Sequence, residues 1–231
     1  MNLLQSQHDD SDPASLSARF RRARGRRVAA LIEAIFAIRG EVRIVDLGGD
    51  PAYWGRFFDR EVLQSRRVQV TLINPAPFQS DDPMFDCRAG DACDLAEHPD
   101  NSFDLVHSNS VVEHVGDWPR MEGFAAEVRR LAPAYYVQTP YYWFPYEPHY
   151  ASLFFHWRSE QARARMLMRR RRGFSEKCSD IGHAMREVQE CRLLDKEQFR
   201  FLFPDARHID EKAAGLTKSL IAIRDGPTAN C

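Results

Sequence analysis

The chain has 231 residues, enough for one α/β domain with a sizeable core. Hydrophobic residues make up 44% and charged residues 28%, an ordinary globular composition. The net charge of −1 gives no overall field of the kind that marks a nucleic-acid binder or a membrane-surface protein.

Met1 to Ser11 is polar and is expected to be disordered. Asp12-Pro13 reads as a cap with proline at the first helical position. Ala14 to Ile38 follows as one or two helices interrupted near Gly25, with Val28, Leu31, Ile32, Ile35 and Phe36 at helical spacing. Val42 to Leu47 is a first strand. Gly48-Gly49-Asp50-Pro51 then turns into a helix from about Ala52 to Gln64. Strands are expected at Val68–Ile73, Phe85–Ala89, Phe103–Ser108 and Ala134–Gln138, with a helix from Trp118 to Leu131 before the last of these. A short helix from Lys196 to Phe203 precedes two final strands, Ala206–Asp210 and Ser219–Ile223. Their Gly215-containing connection is too short for a helix, so they pair antiparallel. Strands alternating with helices predict a doubly wound, mostly parallel sheet. Residues 1–40 then form an N-terminal helical segment packed on a domain of residues 41–231, with an aromatic and arginine-rich insertion at about 141–194.

The segment V-R-I-V-D-L-G-G-D-P-A-Y-W, from Val42 to Trp54, carries the most chemistry. A buried strand ends at Asp46, and Gly48 and Gly49 let the backbone bend and a ligand approach closely. The start of a helix lies just beyond, with free N–H donors. A carboxylate here suits an ammonium better than a pyrophosphate. The dinucleotide fingerprint G-x-G-x-x-G is absent. Asn74, Gly90-Asp91-Ala92 and Ser108-Asn109-Ser110 end further strands, where open α/β sheets bind ligands. The plain alternative is a set of ordinary turns.

Taken in order, D-L-G-G, G-D-A, F-D-L-V-H-S-N-S-V-V-E-H-V and a helix ending E-V-R-R-L resemble a class I S-adenosylmethionine-dependent methyltransferase, of the bacterial type with E-H-V after the fourth strand. The resemblance runs from about Val42 to Pro140. It implies a Rossmann-like, seven-stranded, three-layer αβα fold with an antiparallel edge pair, and S-adenosyl-L-methionine as cofactor. By that resemblance Asp46, Leu47, Gly48 and Gly49 hold the methionine end. Asn74 takes the ribose position, where an acid is usual, and Asp91 and Ala92 meet the adenine. Ser108 and Asn109 close the pocket. Asp50 stands where a second spaced glycine is common.

Methyl transfer from a sulfonium is an in-line displacement, so alignment dominates and a base serves only to take the acceptor's proton. His114 and His149 are the candidates for that base. His114, in V-V-E-H-V, otherwise fixes the loop it lies in. His149 closes Q-T-P-Y-Y-W-F-P-Y-E-P-H, a stiff aromatic wall in which Glu147 can orient it. This stretch resembles one found in a bacterial subgroup of these enzymes. Tyr142, Trp143 and Glu147 are the expected substrate contacts. Arg169 to Arg172 either steers an anionic acceptor, docks on a lipid surface or forms a solvated face; Arg19 to Arg27 has the same plain reading.

Cys87, Cys93, Cys178, Cys191 and Cys231 form no C-x-x-C pair. They read as reduced thiols in a cytoplasmic protein, with no disulfide framework and no metal site. No apolar run reaches the ~18 residues of a membrane span, and the N-terminus lacks the features of a secretion signal. The expected activity is methyl transfer, at oxygen, to a small-molecule or glycan- or lipid-linked acceptor that can be anionic, with no nucleic acid as partner. Two rival readings remain at this stage: a nicotinamide oxidoreductase on a similar sheet, and a non-catalytic cofactor- or partner-binding protein.

Overall fold

The computed structural model describes residues 16–226. The Asp12-Pro13 cap, the polar start and Cys231 lie outside them. Helix α1 (Leu16–Arg39) leads into β1 (Val42–Leu47), α2 (Pro51–Phe57), α3 (Arg60–Ser65), β2 (Val68–Asn74) and β3 (Phe85–Ala89). Then come β4 (Leu105–Asn109), a single 3-10 turn (Val112–His114), α4 (Trp118–Leu131) and β5 (Ala134–Pro140). The insertion supplies a hairpin of β6 (Tyr146–Glu147) and β7 (Ser152–Leu153), then α5 (Glu160–Arg169) and α6 (Ile181–Gln189). Helix α7 (Lys196–Leu202) and the hairpin β8 (Arg207–Ala213) and β9 (Leu216–Asp225) close the chain.

Seven strands form one sheet in the order β3-β2-β1-β4-β5-β9-β8. The first five are parallel, and β9 is antiparallel to both β5 and β8. Ala214 and Gly215, both at positive φ, make the two-residue turn between the last two strands. The sheet separates two cores. One packs Leu47, Val106 and Val137 against Phe124 and Val128 of α4 and Phe199 of α7. The other packs Ile44, Val70 and Leu105 against Val28, Ile32 and Ile35 of α1 and Trp54 of α2. The result is the three-layer αβα architecture expected, with its seven strands and antiparallel edge pair.

Three local expectations change. The helix after β1 is two helices, because Phe58 is extended and Asp59 caps a new start, accepting from the backbone of Glu61 at 2.9 Å. Gly25 does not interrupt α1. A Cβ there would lie 3.3 Å from the carbonyl oxygen of Phe57, so this glycine serves close helix packing. Strand β4 starts at Leu105, since the Asp104 carboxylate accepts the backbone N–H of Arg43 at 2.8 Å. The two ends of the insertion meet, with Tyr142 N–H donating to the carbonyl of Leu194 at 3.0 Å. Between them Tyr150, Phe155, Leu167 and Val188 form a third, small core.

Candidate active site

The turn after β1 is built around a buried carboxylate. Asp46 is 0% exposed. It accepts the Trp54 indole N–H at 2.8 Å and lies 2.7 Å from Nδ1 of His107. A Cβ on Gly49 would lie 1.9 Å from its Oδ2, so the carboxylate is tucked directly under the turn. Gly48, at φ +78°, donates its N–H to the carbonyl of Ile73 at 2.9 Å, and a Cβ there would meet Val111 at 2.5 Å. Both glycines are therefore required by the packing of this corner. Asn74 ties it down from β2, its Nδ2 donating to the carbonyl of Gly49 at 2.8 Å. Ser108 does the same from β4, its hydroxyl donating to Leu47 at 3.0 Å.

Asp46, Leu47 and Ser108 are buried, and the Asp46 and Ser108 side chains bond within the corner. The accessible row at the strand ends consists of Gly48 and Asp91, exposed, with Gly49, Asp50, Asn74, Ala92 and Asn109 half-buried beside them. Asp50 caps α2, accepting from Tyr53 N–H at 2.9 Å, and is the carboxylate of this turn that reaches the surface. Asp91 is gripped by Arg120 through two bonds of 2.7 Å, which hold its carboxyl below the usual range. The row thus presents a shelf of backbone amides, an amide side chain and two accessible carboxylates at the strand ends.

Sequence reasoning missed Trp54, His107 and Arg24. Arg24 sits in a run read as a solvated face, yet it is 6% exposed. Its guanidinium reaches Glu211 at 2.5 Å, Ser219 at 3.1 Å, Gln138 at 3.1 Å and Asn109 at 3.3 Å. Burial opposes the charge, but Glu211 outweighs it and raises the pKa of Arg24. The available signal was periodic: Arg24 stands four residues before Val28 on the apolar stripe of α1.

Beyond β4 and β5 the chain encloses a cavity of about 210 Å³, lined among others by Phe20, Arg24, Ser110, Tyr146, His149 and Lys218. Lys218 is pushed down to about 8, by burial first and then by the charges of Arg24 and Arg21, against the pull of Glu211. A second cavity, of about 450 Å³, is lined by Tyr142, Glu147, His156, Arg163 and Cys191. The two expected histidines lie in the partition. His149 Nδ1 is 2.6 Å from Oε1 of Glu147, and its Nε2 is 3.0 Å from Nε2 of His114. Burial lowers the pKa of His149, but the Glu147 bond and the charges of Glu147 and Glu113 outweigh it and raise the value. Tyr142 lines the second cavity, while Trp143 is exposed and packs against Trp157 and Tyr142. In the arginine cluster, Arg172 bonds Ser152 and lies over Phe155, and Arg171 pairs with Glu176. Among the described residues no helix is long and apolar enough to cross a membrane.

Residues 61–133 match a family model described as a methyltransferase domain. No curated protein matches the chain. Among solved structures, a protein from Galdieria sulphuraria provisionally named a sarcosine dimethylglycine methyltransferase is similar at 13% identity and TM-score 0.51, over 84% of this chain and 63% of that one. This chain thus spans less than two thirds of that structure's length. A geranyl diphosphate methyltransferase in complex with SAM is similar at 12% identity and TM-score 0.50, over 96% of this chain and 94% of that one. At these identities the neighbours speak for the fold alone, and the domain match speaks for residues 61–133. The glycine turn and the sheet order thus accompany a methyltransferase-domain match over residues 61–133, on the Rossmann-like fold of methyltransferase structures.

Proposed function

We propose that the chain transfers a methyl group to the oxygen of a small-molecule or glycan- or lipid-linked acceptor, in the cytoplasm, with the acceptor in the cavity beside His149. The observation that carries this reading is the Glu147–His149 pair, which holds an imidazole in the wall of a cavity beyond the ends of β4 and β5. S-adenosylmethionine supplies an already electrophilic methyl group. Gly48, Gly49, Asn74, Asp91, Ala92 and Asn109 are the residues proposed to hold it, with Asp46, Leu47 and Ser108 shaping the turn from below. Asp50 is the carboxylate proposed to meet its ammonium. Tyr142, Trp143 and Glu147 belong to the acceptor's wall and approach, and His149 and His114 handle the acceptor's proton.

Incubating the protein with the methyl donor and a panel of hydroxyl and carboxyl acceptors tests this, with product mass as the readout. His149→Ala should lower turnover about 10²–10⁴-fold while leaving donor affinity within a few-fold. Equal turnover in the variant would return His149 to a supporting role.

Lys218 makes the cavity selective for anions, and its charge gives a pH signature. With its pKa pushed down to about 8, Lys218 is charged below that value and neutral above it. KM for an anionic acceptor should therefore rise as pH passes through about 8, with a neutral acceptor unaffected. Lys218→Arg should abolish the rise and Lys218→Met should leave KM high throughout. A KM that ignores both pH and substitution would refute the anionic acceptor.

A further inference from the structure

We infer that His114, His149 and Cys191 form a binding site for one divalent transition-metal cation, zinc by the chemistry of its ligands. They come from three separate segments: the turn after β4, the aromatic stretch of the insertion, and the residues just past α6. One ligand atom of each lies within 4.8 Å of the others. Ligand atoms of a tetrahedral zinc stand roughly 3.3–3.8 Å apart, so the trio closes on a cation through small side-chain movements.

The hydrogen bonds decide where the lone pairs point. His114 Nδ1 is 3.1 Å from the carbonyl oxygen of Glu190, which can only accept. His149 Nδ1 is 2.6 Å from the carboxylate of Glu147, which also accepts. Each Nδ1 therefore carries the hydrogen, and in the neutral rings both Nε2 atoms present lone pairs to each other across 3.0 Å. Facing lone pairs repel unless a cation lies between them. A carbonyl and a carboxylate behind the two imidazoles are also the outer partners that metal-bound histidines use. Cys191, buried, brings its sulfur to 3.4 Å of His149 Nδ1, on the Glu147 side of the ring, so joining the two Nε2 atoms around a cation takes a rotation of the Cys191 side chain or of the imidazole.

Arg163 lines the same cavity as Glu147 and Cys191, but among the described residues neither buried carboxylate beside the trio has an arginine or lysine ion-pair partner. Glu113 is 0% exposed; Oε2 accepts from the Thr139 hydroxyl, while Oε1 is buried with no partner. Glu147 is 1% exposed and meets only histidines, His149 and His156, among the ion pairs of the described residues. Two buried carboxylates with no lysine or arginine partner are costly. A dication beside them offsets that cost. Two imidazole nitrogens and a thiolate suit zinc and not magnesium or calcium, which take oxygen ligands. Three protein ligands also leave a fourth position open. His149 lines the smaller cavity and Cys191 the larger, so the cation stands in the partition between them. That the open position meets an acceptor oxygen rests on the reading above; the binding itself does not.

The full chain, stripped with a chelator and titrated with cobalt(II) in the absence of methyl donor and acceptor, tests the site. One equivalent should give the sulfur-to-cobalt charge-transfer band and the intense visible bands of four-coordinate cobalt, both erased by added zinc. Cys191→Ser should lose the charge-transfer band, Cys178→Ser should keep it, and Glu147→Gln should weaken cobalt affinity about 10–100-fold. X-ray absorption of the zinc-loaded wild-type protein should find one sulfur and two imidazoles, a result that does not depend on any variant folding. No cobalt spectrum in the wild type, a band indifferent to Cys191→Ser, or purely oxygen and nitrogen scattering would each overturn the site. A proton shared by the two histidines, with no metal, is the state those outcomes would leave. With the cation bound, both histidines are its ligands and neither takes the acceptor's proton, so the two claims are separated by reading metal binding without donor or acceptor and methyl transfer in the metal-stripped protein.

Discussion

Glu211→Leu should destabilise the fold by about 3–5 kcal/mol, because it leaves the Arg24 guanidinium buried without its carboxylate. Both partners are nearly sealed from water, at 6% exposure for Arg24 and 5% for Glu211. The remaining partners, Gln138, Ser219 and Asn109, are neutral and cannot replace the charge. Thermal or denaturant unfolding reads the loss, which corresponds to roughly 6–20 °C in Tm for a domain of this size. The double variant Arg24→Met with Glu211→Leu should recover most of it, since removing both charges also removes the desolvation penalty. A single variant as stable as the wild type would show that water reaches Arg24. The consequence is functional as well. Arg24 ties α1 to the ends of β4 and β5, so the variant should also disturb the cavity that His149 lines.

Gly49→Ala should have the second large effect. The added methyl would sit 1.9 Å from Oδ2 of Asp46. The carboxylate cannot easily retreat, because Trp54 and His107 hold it on both oxygens. The backbone of the turn must move instead, at a cost of about 1–3 kcal/mol or more. Gly48, Gly49 and Asp50 then leave their places on the donor's shelf. Donor affinity should fall with stability, as measured by calorimetry on the folded fraction. Asp46→Ala differs in kind: it strands the buried indole N–H of Trp54 and the ring of His107, so it should weaken the fold before it weakens donor binding. Gly55→Ala, where a Cβ meets nothing within 4 Å, is the control that should leave both unchanged.

The sheet was legible in the sequence because its strands are unbroken apolar runs. Val42 to Leu47 buries all but one residue, and Ala134 to Thr139 buries every one, as parallel strands covered on both faces must. The hairpin of β8 and β9 was legible from the lack of room for a helix. Helix breaks were less so: Phe58 and Asp59 end one helix and cap another inside a segment whose composition is helical throughout. The motif located the turn after β1 but gave no sign of the partners of Asp46. Its carboxylate points under the turn because an indole eight residues later folds back onto it, and a strand-end residue carries no sign of which partner will claim it. Arg24 was hidden by the arginines around it. His114, His149 and Cys191 lie 35 and 42 residues apart along the chain, beyond the reach of any spacing rule, and only the return of the insertion to Leu194 brings them together.

Calorimetric titration of the purified chain with S-adenosylhomocysteine tests the central claim, that the strand-end shelf receives the methyl donor. One-site binding is expected, retained in Gly55→Ala, weakened in Asn74→Ala, and weakened in Asp50→Asn, which keeps the helix cap but loses the charge facing the ammonium. A cooperatively folded wild-type protein that takes up no S-adenosylhomocysteine would contradict it.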